Sequence, residues 1–133
     1  MTIPNQRNDR STVRSVGERV RLFQAATLIV AVVLAWLAFR PSSGVDAGLP
    51  WDKANHAVAF AVLTVLTGCG WTRLGAARMG LIMLAVGTGI ELVQGLPVIG
   101  RDADVWDVVA DMFGAAVGWA VLTVGRSRRG PVD

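Results

Sequence analysis

Long apolar runs separated by short polar segments dominate the pattern of this chain. A run of about 18 residues, at 1.5 Å per residue, forms a helix about 27 Å long, which is enough to cross a thin membrane. Four such runs lie at Leu22–Phe39, at about Ala54–Trp71, at Met79–Leu96 and at about Val105–Val124. The pattern therefore predicts an all-α protein built as a four-helix transmembrane bundle.

The remaining segments are short and basic, and none is long enough for a second domain. We predict a basic tail at residues 1–21, a membrane domain at residues 22–125 and a second basic tail at residues 126–133. A cleaved signal peptide is the alternative for the first run. However, 21 residues precede that run, and it is longer than the usual apolar region of about 7–15 residues. We interpret it as an uncleaved first helix.

Composition supports a membrane protein and argues against a nucleic-acid-binding one. The chain is 53% hydrophobic and only 17% charged, whereas a soluble domain carries about 25% charged residues. Its net charge of +3 comes mostly from arginines that flank the apolar runs. A nucleic-acid-binding domain would instead carry its basic residues on a folded soluble face with aromatic side chains for stacking. The single cysteine, Cys69, excludes an intrachain disulfide.

The distribution of basic residues predicts the orientation. Ten lysines and arginines precede the first run, lie between the second and third, or follow the fourth, and three lie in the other two loops. Because cytoplasmic loops are enriched in Lys and Arg, both termini are predicted to be cytoplasmic. The loops at 40–53 and 97–104 then face outward.

Nine polar side chains lie at the predicted outer ends of the second, third and fourth runs, and we assign them to a ligand-binding pocket: Asp52, Lys53, His56, Glu91, Gln94, Arg101, Asp104, Asp107 and Asp111. Helix rise places His56 about 6 Å, Glu91 about 8 Å and Asp111 about 10 Å below the outer ends of their helices. These depths overlap, so we expect the groups to meet in one layer. A carboxylate at membrane depth costs about 2.5–3.5 kcal/mol, which marks Glu91 as functional or site-organising.

The fourth run places its polar and small residues on one face. Asp104, Asp107, Asp111, Gly114 and Gly118 are spaced by 3, 4, 3 and 4 residues, which is the spacing of one helix face. Small residues allow helices to approach closely in lipid. Gly114 and Gly118 therefore predict close packing, either within one chain or between chains of an oligomer.

The order and spacing of these residues resemble the VanZ-like membrane proteins. The resemblance rests on Asp52-Lys53-x-x-His56-x-x-x-Phe60, Glu91-x-x-Gln94 and Arg101-x-x-Asp104-x-x-Asp107, followed by Gly114 and Gly118. It covers about residues 51–124 and implies a small multi-pass protein of the bacterial cytoplasmic (inner) membrane. The family's namesake is associated with low-level resistance to teicoplanin, a glycopeptide antibiotic that acts on the cell envelope. Members commonly have Asn where this chain has Asp111, so the resemblance does not support a mechanism that requires charge there.

Structural roles compete with functional ones at several of these positions. Asp52 and Asp104 stand where helices are predicted to begin, so we interpret both as N-caps. Lys53 and Arg101 are long enough to reach lipid headgroups, but they are equally suited to balance the acidic residues or to hold a phosphate. A histidine with several carboxylates suits a divalent cation, yet one His without Cys ligands makes a structural zinc site improbable. We assign no metal site from the sequence and leave any cofactor open.

The predicted function is recognition or handling of an amphiphilic cell-envelope molecule in the outer leaflet. A lipid-linked glycan precursor or a lipoglycopeptide antibiotic fits, with membrane lipids as further partners and no nucleic acid. An enzyme is the alternative, with Glu91 or Asp107 as base and His56 as acid or orienting group. A non-catalytic structural partner of envelope machinery is a third. A transporter is disfavoured, because the inner halves of the runs carry no ionisable group to continue a path.

Overall fold

The computed structural model describes residues 6–39, 50–99 and 103–128, with the side chains of residues 15–39, 52–99 and 103–128. The described residues form four α-helices and no strand. The helices are α1 (Gln6–Phe39), α2 (Pro50–Gly70), α3 (Ala76–Gln94) and α4 (Val105–Ser127). The predicted all-α class is confirmed.

Helix ends differ from the predicted ends of the apolar runs. α1 begins at Gln6, so it includes most of the segment predicted as an N-terminal tail. Its first turns are polar and carry no apolar periodicity that would have indicated a helix. α3 ends at Gln94, because Pro97 follows shortly and the residue before a proline is biased away from helical geometry. α4 continues past Val124 to Ser127.

Three of the described helices are long and apolar enough to cross a membrane, namely Ser15–Phe39, Ala76–Gln94 and Val105–Ser127. Only 6%, 22% and 28% of the residues in their apolar windows are buried inside the protein, so most of this apolar surface faces outward. Such a surface is typical of a membrane protein. α2 is not among the three, because its first two turns carry Asp52, Lys53, Asn55 and His56.

Contacts between helices define an up-down-up-down arrangement. The Gln24 side chain donates to the Gly70 carbonyl at 2.9 Å, which joins the middle of α1 to the end of α2. α2 and α4 have the most extensive contact and run parallel, with Ala57 against Gly114 and Ala61 against Gly118. α3 and α4 run antiparallel. One end of the bundle, which we call the site end, therefore contains the ends of α1 and α3 and the beginnings of α2 and α4.

Small residues and a compact apolar cluster hold the bundle together. Buried residues of the core are Phe60, Leu63, Met79, Met83 and Ala115. A Cβ atom on Gly114 would collide with the Ala57 carbonyl, and one on Gly118 would press against the Ala61 carbonyl. Both glycines are thus used for close packing of α4 against α2 within the chain, as the predicted seam on the fourth helix requires.

Candidate functional site

Lys53 lies at the centre of an ion-paired group at the site end. Its Nζ atom is 2.6 Å from Asp104 Oδ2 and 2.9 Å from Asp107 Oδ1, so the ammonium group joins the first turn of α2 to the start of α4. Of the roles left open by the sequence, this contact supports balancing of the acidic residues. Lys53 is engaged by its own chain rather than extended toward a headgroup.

Ion pairing shifts the titration of Lys53 and Asp104, which are both partly exposed. The hydrogen bond to Asp104, followed by the one to Asp107, raises the pKa of Lys53 above its usual range. The hydrogen bond from Lys53, with a further one from the Trp106 backbone, lowers the pKa of Asp104. Both groups are therefore charged near neutral pH.

The two aspartates predicted as N-caps behave differently. Asp104 is confirmed as the N-cap of α4, with its Oδ1 accepting the Trp106 N–H at 2.9 Å. The N-cap prediction for Asp52 is wrong, because α2 begins at Pro50 and Asp52 lies within the first turn. Proline is favoured at a first helical position, since its fixed φ suits the helix and it has no N–H to satisfy. Asp52 is thereby left available for other contacts.

His56 lies between two aspartates of α4. Its Nδ1 atom is 2.9 Å from Asp111 Oδ1, and its Nε2 atom is 3.9 Å from Asp107 Oδ2. An ionised carboxylate only accepts hydrogen bonds, so with Asp111 ionised the Nδ1 atom carries the donated proton and Nε2 is the free nitrogen. The predicted convergence of His56, Asp107 and Asp111 is confirmed by these distances.

Glu91 contacts α4 from the last turn of α3. Its Oε2 atom accepts the backbone N–H of Asp104 at 2.7 Å, so the carboxylate holds the residue that caps α4. Its charge also interacts with those of His56, Asp107 and Asp111. Glu91 was predicted to meet the layer of polar groups that contains His56, Asp107 and Asp111. The hydrogen bond from the Asp104 backbone to Glu91 was not predicted.

Two carboxylate oxygens at the site are buried without a hydrogen-bond partner among the described residues. They are Glu91 Oε1 and Asp111 Oδ2. The Glu91 side chain belongs to a residue that is 6% exposed, and Asp111 is fully buried. A buried polar atom without a partner costs about 1–3 kcal/mol, and more when it is charged. These two oxygens are therefore the acceptors of the site that the described residues leave without a donor.

The other predicted site residues have structural or undetermined positions. Gln94 is buried and donates to the Ala38 carbonyl at 3.1 Å, which ties the ends of α1 and α3 together. Arg101 lies outside the described residues. Gly87 was not predicted as a site residue, yet a Cβ there would lie 2.6 Å from Asp111 Oδ2. Its position four residues before Glu91, on the same helix face, was the only available signal.

The arrangement is suited to accepting protons, hydrogen-bond donors or positive charge. Five carboxylates, from Asp52, Asp104, Asp107, Asp111 and Glu91, stand with one ammonium group and one imidazole among the described residues. Even with a protonated histidine, negative charge exceeds positive charge.

Comparison with family models, with curated proteins and with solved structures gives no match to this chain.

Proposed function

We propose that this protein is a VanZ-like four-span membrane protein that binds an amphiphilic cell-envelope molecule at the site end. In this proposal α2 crosses the membrane with the other three helices, both termini are cytoplasmic, and the site end faces the outer leaflet. The location is the bacterial cytoplasmic membrane. The ligand is a lipid-linked glycan precursor or a lipoglycopeptide such as teicoplanin.

One observation carries the proposal, namely the buried Glu91 Oε1 atom, which has no hydrogen-bond partner among the described residues. The same carboxylate interacts electrostatically with His56 and Asp107. A hydroxyl, amide or ammonium group of a headgroup would supply the missing donor. The exposed apolar side chains of the surrounding helices, such as Leu92 and Phe113, suit the acyl or prenyl chain of the same molecule. An amphiphile satisfies both requirements at once.

The contacts change which part of the ligand the site is expected to recognise. Lys53 is paired with Asp104 and Asp107 and so is a poor candidate for holding an anionic group. The site atoms without a partner in the described part of the chain, Glu91 Oε1 and Asp111 Oδ2, are acceptors. We therefore assign the pocket to the donor-rich sugar or peptide part of the headgroup.

Replacing Glu91 with Gln tests this assignment with little change in shape. The amide oxygen of Gln can still accept the Asp104 N–H, while the NH₂ group replaces the free acceptor by a donor. Loss of a charge-assisted hydrogen bond is expected to weaken ligand binding about tenfold to a hundredfold. Binding is measured by native mass spectrometry of gently solubilised protein with its co-purifying lipids, and with added teicoplanin.

Glu18→Gln is the matched control, because it makes the same chemical change on α1, away from the site end. Unchanged ligand binding by folded Glu91→Gln would exclude this pocket. A fall in folded yield without any wild-type ligand would instead favour the purely structural role. That role has some support in the Glu91–Asp104 and Gln94–Ala38 contacts, which join separate helices.

A membrane enzyme on the same class of substrate is the second candidate, and the His56–Asp111 contact favours it. A carboxylate that holds Nδ1–H leaves Nε2 free to accept a proton, as a general base requires. Asp107 and Glu91 are the neighbouring carboxylates. Product formation from a lipid-linked substrate by purified protein, abolished by His56→Ala, would distinguish catalysis from binding.

A further inference from the structure

Three potential metal ligands meet at the site end. One ligand atom each from Asp52, His56 and Asp107 lies within 4.8 Å of the other two. Asp52 and His56 are half-buried and one helical turn apart on α2, while Asp107 is buried on α4. Asp52 and His56, near the start of α2, are therefore the more exposed members of the group, and Asp107 is the most buried one.

The orientation of His56 suits a metal ligand. Its Nδ1–H group is held by Asp111 at 2.9 Å, so the lone pair is on Nε2, which lies 3.9 Å from Asp107 Oδ2. Metal-binding histidines commonly donate their second ring N–H to a carboxylate in this way, which fixes the tautomer and increases ligand basicity. Asp111 is then the positioning residue and need not touch the ion.

The distance between His56 Nε2 and Asp107 Oδ2 is also close to that expected for two ligands of one metal ion. Nε2 and Oδ2 are 3.9 Å apart, which is too far for a hydrogen bond. Two ligands of a tetrahedral ion lie about 3.4 Å apart when each metal–ligand distance is about 2.0–2.2 Å. A small side-chain rotation would bring both atoms within bonding distance of one cation. Asp107 uses its other oxygen for Lys53, so one carboxylate serves both contacts.

A separate observation, on Glu91, favours a bound cation near His56 and Asp107. Glu91 Oε1 is buried and has no partner among the described residues, and the Glu91 carboxylate interacts electrostatically with both His56 and Asp107. It belongs to a different helix from the three ligands and is not one of them. A cation bound between His56 and Asp107 would offset the negative charge of the buried Glu91 carboxylate. It would also reduce the excess of negative charge at the site end.

We propose that Asp52, His56 and Asp107 form a binding site for one divalent cation, with Asp111 holding His56 in place. One imidazole with two carboxylates suits Zn²⁺ or Mn²⁺ better than Mg²⁺ or Ca²⁺, which prefer oxygen ligands alone. Three protein ligands leave at least one open coordination position. Under the proposed function, on which this one consequence rests, the open position accepts a phosphoryl or hydroxyl oxygen of the headgroup.

The test uses the full-length, tag-free protein in lipid nanodiscs, stripped with EDTA and then titrated with Zn²⁺ or Mn²⁺. The wild type is expected to bind one cation per chain saturably, as measured by elemental analysis after desalting. Asp107→Asn and His56→Gln are each expected to bind at least about tenfold more weakly, and Asp111→Asn about tenfold to a hundredfold more weakly. Asn55→Ala, an exposed polar change beside His56, is the control and is expected to bind as the wild type does.

A spectroscopic measurement keeps the proposal falsifiable if a variant fails to fold. His56 is the only histidine in the chain, so pulsed electron paramagnetic resonance of Mn²⁺ bound to the wild type is expected to show coupling to one imidazole nitrogen. No saturable binding of either cation, no nitrogen coupling, or undiminished binding by both ligand variants would overturn the proposal.

The experiments distinguish failure of the proposed metal site from failure of the proposed function. Cation binding by the wild type without any lipid or teicoplanin binding would support the metal site and exclude the envelope ligand. Ligand binding that persists in EDTA, together with absent cation binding, would support the envelope ligand and exclude the metal site.

Discussion

Asp111 is fully buried, and both of its carboxylate oxygens depend on neighbours from other helices. One oxygen is 2.9 Å from His56 Nδ1, and the other lies where Gly87 leaves room on α3. A larger residue at position 87 would have to displace the carboxylate. Asp111, which holds the His56 ring, therefore needs the space that glycine leaves at position 87.

Replacing Gly87 with Ala is expected to destabilise the protein by about 1–3 kcal/mol, because the added Cβ would lie 2.6 Å from Asp111 Oδ2. The measurement is thermal unfolding in detergent. Gly89→Ala is the control on the same helix, since nothing lies within 4 Å of its added Cβ. Alanine there is expected to be neutral or stabilising by up to about 1 kcal/mol. Equal stability of the two variants would contradict the close contact at Gly87.

The Lys53–Asp104 pair predicts a dependence of stability on pH. Because Lys53 lowers the pKa of Asp104, the pair contributes stability above the ordinary aspartate pKa of about 3.9 and loses it as the pH falls through the lowered pKa. Because the pKa of Lys53 is raised, its stabilising contribution is complete below about pH 10 and is lost as the pH rises through that raised pKa.

Lys53→Met is expected to lower the unfolding temperature at about pH 7 and to make it less sensitive to acid between about pH 5 and pH 3. The difference should be a few degrees at most, because the pair is partly exposed and screened by solvent. Thermal melts across this range measure it. An acid dependence as steep as that of the wild type would show that Lys53 does not set the Asp104 titration.

The packing of α2 against α4 controls the site at the scale of whole elements. Ala57 and Ala61 of α2 face Gly114 and Gly118 of α4. On the same two helices, closer to the site end, Lys53 contacts Asp107 and His56 contacts Asp111. The helix backbones approach so closely that a methyl group on either glycine meets a main-chain carbonyl. Side-chain rotation cannot relieve such a collision, so the two helices would have to separate.

Gly114→Ala is accordingly expected to cost about 3 kcal/mol or more, toward the upper end of the range for overpacked sites. It should also weaken cation or ligand binding by moving α2 away from α4. Gly125→Ala on the same helix is the control, because nothing lies within 4 Å of its added Cβ. Thermal unfolding and ligand titration measure both effects, and a Gly114→Ala variant as stable as Gly125→Ala would rule out this close approach.

At the scale of the whole molecule, α2 is the helix that decides the topology. Three described helices are apolar enough to cross a membrane by themselves, while α2 has polar first turns in which Lys53 and His56 contact Asp107 and Asp111 of α4. Four crossings leave both termini on the same side of the membrane. Three crossings leave them on opposite sides.

Reporter fusions at each terminus distinguish these arrangements. We expect both reporters to be cytoplasmic, because α2 is held by its neighbours and the arginine distribution favours internal termini. A reporter inserted beside Arg73 should also be cytoplasmic. A C-terminal reporter on the external side would exclude the four-span topology and would place the site end differently with respect to the membrane.

Much of the helical organisation was predictable, because it depends on local patterns. Apolar runs of sufficient length predicted four helices, and the spacing of Asp107, Asp111, Gly114 and Gly118 predicted one buried face on α4, which the structure confirms. The polar start of α1 was missed because a polar helix has no apolar periodicity. Asp52 was misassigned as an N-cap because Pro50 offered an equally good helix start two residues earlier.

The sequence by itself determined the helices, their apolar surfaces and the end of the bundle at which the polar residues gather, because hydropathy and helical spacing are local properties of the chain. Only the tertiary structure decided that Lys53 pairs with Asp104 and Asp107, that His56 donates to Asp111, and that Glu91 accepts the backbone N–H of Asp104. Those contacts join residues far apart in sequence, and they depend on how closely Gly114 and Gly118 let α4 approach α2.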